Sequence, residues 1–363
     1  MKIGILGAGN AGIALYALML NDSGFDPIIW SAPGYLHTFE KLTSTERDVK
    51  FFYGHNEEPA NIPRSRFQVT NSIKSLLGKC EYIVNTLPIN AHIDVFNAIC
   101  NALRKEKRRI TLINFSGGFA IFDHLSNHRD DDLVTLVSAH TLPYASRVCM
   151  GEIRILNRRN ETLVSLEDDA PIKIVKILEE LMGTPLIPER NHLRCAIDRS
   201  SYVMHPLITM MNFTRLEKGE RWFFYRDGFS ESVKRLLVET GYERQSLCQK
   251  LGFADFISPE ERIRRFSETY MDEFANVLPP KSTEHRFFVE DIPYGLVFLC
   301  TLGQMVGVSM PLCESLVNIT SSLCGKDFWT SPLNLLKNRS IADEVLRYRV
   351  SSSNPSVSVS KLA

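Results

Sequence analysis

Short apolar runs alternate with longer amphipathic stretches through the first half of the chain, which predicts strands and helices in turn. Lys2–Leu6 reads as a strand and Ala11–Leu20 as an apolar helix. Pro27–Trp30 and Phe67–Thr70 are strand-like, and Tyr82–Thr86 and Thr111–Asn114 are two more strands around a helical segment, Ala91–Arg104. Leu133–Ala139 follows as a further strand. Strands alternating with helices imply a parallel sheet covered on both faces. After Arg147 the pattern changes. Cys149–Leu156 and Glu161–Leu166 read as paired strands around the turn-like Asn157–Asn160, and Ile172–Met182 as an amphipathic helix. From Asp198 onward strand signals nearly vanish. Ser200–Leu216, Ser230–Gly241, Gln245–Leu251, Pro259–Phe274, Ile292–Val306 and Met310–Leu323 all read as helices.

At about 150 residues per domain, 363 residues suggest two. Pro185, Pro188 and the polar Glu189-Arg190-Asn191 interrupt the pattern between them. The expected organisation is an α/β domain over 1–190, a helical domain over 191–350 and a flexible tail over 351–363. Lys plus Arg and Asp plus Glu are each 42, so no basic excess exists to neutralise a phosphate backbone, and general nucleic-acid binding is not expected. No apolar stretch reaches the roughly 20 residues that span a bilayer. The eight cysteines are scattered without a CxxC pair, which suits reduced thiols rather than a disulfide framework or a zinc site. Asp130–Asp132 is not spaced as a metal loop, and no metal is expected. These features predict a soluble, cytoplasmic protein.

The candidate chemistry begins at the first strand. It runs into Gly7-Ala8-Gly9-Asn10-Ala11-Gly12 and then a helix. In that context Gly7 permits a tight turn, Gly9 lets a pyrophosphate approach the backbone, and Gly12 allows close helix–strand packing. The phosphates would sit at a helix N-terminus, where free N–H groups favour negative charge. The next strand ends Ile29-Trp30-Ser31-Ala32, without the acid that binds the ribose of NAD. Ser31 could donate to a 2′-phosphate, so NADP is favoured over NAD. Thr86-Leu87-Pro88 and Asn114-Phe115-Ser116-Gly117-Gly118 end later strands, at the sheet edge where ligands of such folds bind, and Leu87 and Pro88 are expected to line the nicotinamide half.

Three further stretches sharpen this: Thr141–Arg147, Ser201-Tyr202-Val203-Met204-His205-Pro206, and Arg286–Leu296 with its Arg-x4-Asp-x-Pro-Tyr-Gly run. With the glycine turn, they make the chain resemble the octopine/nopaline (opine) dehydrogenase family over roughly residues 1–335. The resemblance implies a Rossmann-type α/β N-terminal domain and an all-helical C-terminal domain of the 6-phosphogluconate dehydrogenase C-terminal-like kind. It implies reductive condensation of a 2-oxo acid with the amino group of an amino acid, driven by NAD(P)H. It also implies His205 and Asp291 as the catalytic pair, Arg286 and Thr141 as substrate contacts, and Ser146 near the amino substrate, where some members carry cysteine. The expected partners are small molecules, with no nucleic acid and no membrane; a homodimer stays open.

The residues admit plainer readings. His205 lies among Val203, Met204, Leu207 and Ile208, as a core histidine would. Asp291, just before Ile292-Pro293, would serve as a helix N-cap. Arg286 could pair with Glu284 or Glu290. Trp222-Phe223-Phe224-Tyr225 reads as packing, a dimer surface or a substrate wall, and the basic run over 104–109 as a solvated helix end. Two other functions remain open: a dehydrogenase of a simple 2-oxo or hydroxy acid on the same fold, and a non-catalytic dinucleotide sensor.

Overall fold

The computed structural model describes residues 1–330, apart from 23, 54–57, 116–132, 167–170, 190, 254–256 and 272–273. The Ser116–Gly118 and Asp130–Asp132 segments therefore lie outside the described residues. The chain divides into two compact units, Met1–Arg199 and Ser200–Ala363.

The strands of the first unit are β1 (Lys2–Leu6), β2 (Asp26–Trp30), β3 (Val49–Phe52), β4 (Ala60–Ile62), β5 (Val69–Thr70), β6 (Tyr82–Asn85), β7 (Ile110–Asn114), β8 (Val134–Ala139), β9 (Tyr144–Cys149), β10 (Glu152–Arg158), β11 (Thr162–Leu166) and β12 (Leu186–Glu189). Eight of them form one sheet in the order β12-β11-β8-β7-β6-β1-β2-β5. Within it β1 runs parallel to β2 and β6, and β7 parallel to β6 and β8. Every residue of β7 is buried, as expected of a strand covered on both faces.

A second sheet, β4-β3-β10-β9, was not expected. It corrects the pairing read from the sequence. β10 pairs antiparallel with β9 through a turn at Gly151, which takes a left-handed φ of 68°. β11 instead sits between β8 and β12 in the large sheet. Apolar alternation marks a strand but does not name its neighbour. Residues 186–189, expected as a break, are an edge strand, where Pro188 is tolerated because only one side is paired. The helix His192–Ile197, expected in the helical domain, packs on β8, β11 and β12, so the sheet unit extends to Arg199.

Helix Asn10–Asn21 is buried from Gly12 to Leu20 and packs against strands of both sheets. Alternate positions of β9 tether its first turn. Tyr144 Oη–H donates to Ala11 O (2.9 Å), Ser146 Oγ–H donates to Asn10 O (3.1 Å), and Val148 N–H donates to Asn10 Oδ1 (2.8 Å). A side chain at Gly12 would place its Cβ 1.9 Å from Gly7 O, so helix and strand approach as only glycine allows.

At the carboxyl ends of β6, β7 and β8 lies a buried polar network. Asn85 Nδ2–H donates to Asn114 Oδ1 (3.0 Å), and Asn114 Nδ2–H reaches Ser138 Oγ (3.5 Å). Asn85 Oδ1 accepts from Leu87 N–H (3.1 Å). His92 Nε2 lies 3.0 Å from Leu87 O and 3.1 Å from Asn85 Nδ2, so the 86–88 turn is held from both sides. Burial, with Arg199 nearby, holds the His92 imidazole down from its ordinary 6.5 to about 4.

The helical unit also differs from expectation. Helix Glu231–Lys250 is continuous, where two helices were expected. Gly241 within it gives room to Pro259, which would lie 2.7 Å from an added Cβ. Ser201–Met211 ends at Asn212, whose amide donates to Ile208 O and Gly228 O, and Phe213–Glu217 follows as a separate short helix. Pro259–Arg265 passes into a π-helical turn over Phe266–Tyr270.

Two predictions follow from this packing. Gly12→Ala should cost about 3 kcal/mol by forcing helix from strand, read from urea unfolding, and should weaken NAD(P)H binding in a fluorescence titration. Unchanged stability would contradict the close approach. For His92, the unfolded chain binds a proton below 6.5 that the folded chain refuses until about 4. Its contribution is therefore intact above 6.5 and lost as the pH falls towards 4, by up to about 1.4 kcal/mol per pH unit. His92→Gln should show a shallower loss of unfolding free energy than wild type over that window; parallel slopes would refute it.

Candidate active site

Gly7 carries the turn out of β1 with φ 105°, a conformation that suits glycine, and its N–H donates to Trp30 O (2.9 Å). Ala8 is buried behind it, and Ala11 is half-buried in the first helical turn. Gly9 is the N-cap of helix Asn10–Asn21, exposed and with no side chain to cap the first N–H groups. A Cβ added to Gly9 would meet nothing within 4 Å. Open backbone donors at the start of a 12-residue helix are what a pyrophosphate requires, and these residues fit a dinucleotide. Thr86 and Leu87 pack beside Gly7: an added Cβ there would lie 3.0 Å from Thr86 Oγ1 and 3.2 Å from Leu87 Cδ2. Pro88 is exposed at the end of the same turn.

Ser31 is buried, and its hydroxyl donates to Tyr35 O (3.0 Å). The proton expected for a 2′-phosphate is therefore already held within the loop, which weakens the reason for preferring NADP. Asn10, through Oδ1, is a tether of the helix. Ser146 likewise directs its hydroxyl to Asn10 O. Thr141 Oγ1 lies 3.5 Å from Arg159 Nη2 at the entrance to β9.

The second unit brings together His205, Asp291 and a residue the sequence reading left as packing. Helix Ser201–Met211 is buried from Tyr202 to Thr209 and contains Pro206. Thr209 Oγ1–H donates to His205 O (2.7 Å), the carbonyl four residues earlier in the same helix. His205 Nδ1–H donates to Asp291 Oδ2 at 2.7 Å, and His205 Nε2 lies 3.0 Å from Tyr225 Oη. The imidazole stacks on Phe287, with ring centroids 4.0 Å apart and an interplanar angle of 26°.

Asp291 is 0% exposed, and its Oδ1 has no hydrogen-bond partner among the described residues. It ends the segment that begins with helix Arg286–Val289 and opens a π-helical turn over Ile292–Leu296. The side chain makes no cap to that turn, so the N-cap reading is set aside. π-turns are uncommon and cluster at functional sites. Gly295 secures the approach: a Cβ there would lie 2.3 Å from the Tyr202 ring, one helical turn before His205. A carboxylate this dry is costly unless paired, and the His205 N–H offsets that cost.

His285 caps the short helix by accepting from Phe287 N–H at Nδ1 (3.4 Å), and its ring meets Phe287 edge-on at 4.4 Å. Burial, then Arg286 and His205, hold its imidazole down to about 4, so it is neutral beside the pair. Arg286 is exposed. The alternative reading, a pair with Glu284 or Glu290, finds no support among the described residues, where Glu284 instead takes Lys326 at 2.5 Å. Among the described residues the Arg286 guanidinium has no ion pair, only a 5.7 Å approach to the Phe287 ring.

The sequence signal that could have found Tyr225 is its polar tip inside the aromatic run Trp222–Tyr225. Among the described residues, no group of His, Cys, Asp and Glu could hold a metal ion. Nor is any helix there long and apolar enough to cross a membrane.

An imidazole–carboxylate pair in an aromatic setting can accept and return a proton, and the glycine turn can cradle a dinucleotide. Residues 188–324 match the family described as NAD/NADP octopine/nopaline dehydrogenase, alpha-helical domain. An opine dehydrogenase of Arthrobacter sp. (strain 1C) is 27% identical over 151 residues, covering 38% of this chain and 41% of that protein. The protein ocs of Agrobacterium tumefaciens (strain Ach5) is 21% identical over 340 residues, 90% of this chain and 92% of the relative. A solved octopine dehydrogenase with NADH and agmatine has a TM-score of 0.70 at 17% identity, covering 96% of this chain and 95% of that one. A yersinopine dehydrogenase with NADP+ bound has the same TM-score at 14% identity, covering 96% and 99%. Residues 188–324 thus resemble the helical domain of octopine/nopaline dehydrogenases, and the chain shares the fold of solved opine dehydrogenases.

Proposed function

We propose that this protein is an NAD(P)H-dependent oxidoreductase acting on CH–NH bonds, condensing a 2-oxo acid with the amino group of an amino acid and reducing the imine. The observation that carries the reading is the 2.7 Å contact between a buried imidazole and a carboxylate with no solvent exposure, in a chain that also holds an open glycine turn. NAD(P)H, when bound, supplies the hydride. The first unit's residues hold its pyrophosphate at Gly9 and the helix start, and Leu87 and Pro88 flank the nicotinamide half.

The proton chemistry falls to His205. An ammonium must lose a proton before its nitrogen can attack a ketone, and the carbinolamine hydroxyl must gain one before it leaves as water. Asp291 fixes the Nδ1–H tautomer, leaving the Nε2 lone pair for the first transfer, and stabilises the imidazolium formed by it. Arg286, exposed and without an ion pair, suits a substrate carboxylate because its planar fork offers paired donors. Thr141 is proposed to contact the oxo acid. A cytoplasmic location and a homodimer complete the proposal.

The test is oxidation of NADH and NADPH with pyruvate or 2-oxoglutarate alone, then with each amino acid added. Turnover should require both substrates. Full turnover without any amine would assign the chain to simple oxo-acid reductases instead. His205→Asn should lower amine-dependent turnover by roughly 10²–10⁴-fold, with NAD(P)H affinity unchanged. A catalytically silent sensor would bind cofactor tightly and show no turnover to lose.

A further inference from the structure

The pair so far described uses one ring nitrogen of His205. The other is also occupied. Nε2 faces the Tyr225 hydroxyl at 3.0 Å, and with Nδ1–H directed to Asp291 the neutral ring presents a lone pair there, so the Tyr225 O–H is the donor. A substrate proton bound for Nε2 must displace that hydroxyl or pass through it.

Displacement is opposed by the packing. Tyr225 is 8% exposed and His205 is 7% exposed. The tyrosine ring is held edge-on by Phe224 at 4.9 Å, and by Phe266 and Phe274 at 5.3 and 5.6 Å. Its backbone is fixed as well. Phe224 N–H donates to Val277 O (2.7 Å), and Phe229 N–H donates to Tyr225 O (3.1 Å). Gly228 closes the turn where a Cβ would lie 2.5 Å from Phe224 O and 2.6 Å from the Trp222 ring. Swinging the ring aside would disturb this whole aromatic layer. Passing a proton along the hydroxyl requires only that its O–H rotate.

We propose that Tyr225 is a catalytic residue, its hydroxyl being the group that exchanges protons with the reacting amine and the carbinolamine while His205 acts behind it. The inference rests on the amine-dependent reduction proposed above. In the first transfer the substrate ammonium N–H bond breaks and its proton joins Tyr225 Oη, as the Tyr225 proton moves to His205 Nε2. The freed nitrogen lone pair forms the C–N bond, and the amine proton reaches the former ketone oxygen. In the second transfer the Nε2–H returns to Tyr225 Oη as the tyrosine proton goes to the carbinolamine oxygen. That oxygen leaves as water with the C–O bonding pair, and the nitrogen lone pair completes the iminium. The two transfers cancel at Tyr225 and His205, so both end as they began, and the net change is ammonium plus ketone to iminium plus water.

Three measurements test this, using the full chain, pyruvate, and whichever amino acid turns over fastest in the panel above. In wild type, single-turnover NAD(P)H oxidation in H₂O/D₂O mixtures should give a bowed proton inventory, because two protons move together. Tyr225→Phe, which keeps the ring and its packing, should lower kcat by about 10²-fold with NAD(P)H affinity unchanged. The residual rate of that variant should give a straight inventory, a change that loss of packing alone would not produce. A straight wild-type inventory, the absence of a solvent isotope effect, or a Tyr225→Phe kcat within threefold of wild type would each overturn the relay. If His205→Asn also keeps its amine-dependent turnover, the relay and the role given to His205 both fail while the enzyme reading stands; if His205→Asn is inactive while Tyr225→Phe is not, only the relay fails; and if wild type turns over without any amine, the enzyme reading itself fails.

Discussion

A carboxylate with no solvent exposure constrains everything around it. A carboxyl group buried in an apolar interior needs a hydrogen-bond donor, and the donor the fold supplies to Asp291 is the His205 ring at 2.7 Å. Removing one partner of such a pair typically costs about 3–5 kcal/mol, because the other is left buried and uncompensated. The surrounding geometry follows from that demand. The π-turn after Asp291 and the bare backbone at Gly295 let the segment lie against Tyr202. Phe287 covers one face of the imidazole, and the hydroxyl of Tyr225 meets its second nitrogen.

The first unit obeys a comparable constraint in its backbone. Gly12 approaches Gly7 more closely than any side chain permits, and β9 holds the first turn of the same helix with three hydrogen bonds. The donors left open at Gly9 are thus held rigidly, which a phosphate site needs if binding is not to bear the cost of ordering it. The 86–88 turn beside them is fixed by Asn85 and a neutral His92. The buried His92 and the half-buried His285 are both kept uncharged by desolvation.

Legibility in the sequence tracked how local the signal was. The run Lys2–Gly12 announces its strand, turn and helix because tight turns and close packing demand glycine at fixed offsets, and all three appear as read. Helix Ile172–Met182 was equally plain from its amphipathic spacing. The second sheet was not, since β3 and β4 are short and β10, which pairs with β3, lies about a hundred residues away. Glu231–Lys250 looked broken because glycine at 241 usually interrupts a helix, yet here its missing side chain is what admits Pro259.

The chain's residues by themselves determined the alternation of strands and helices, the glycine turn, the division into a sheet unit and a helical unit, and the candidacy of His205 and Asp291. Each is written in neighbouring residues, where periodicity and glycine spacing act directly. Tertiary structure alone decided which strands pair, that Ser31, Asn10 and Ser146 are engaged with backbone groups, and that Arg286 has no ion pair among the described residues. It alone set Tyr225 against the imidazole from 20 positions away. The reason is physical: a hydrogen bond depends on direction and distance in space, and only the packing of one helix on another turns separation along a chain into contact.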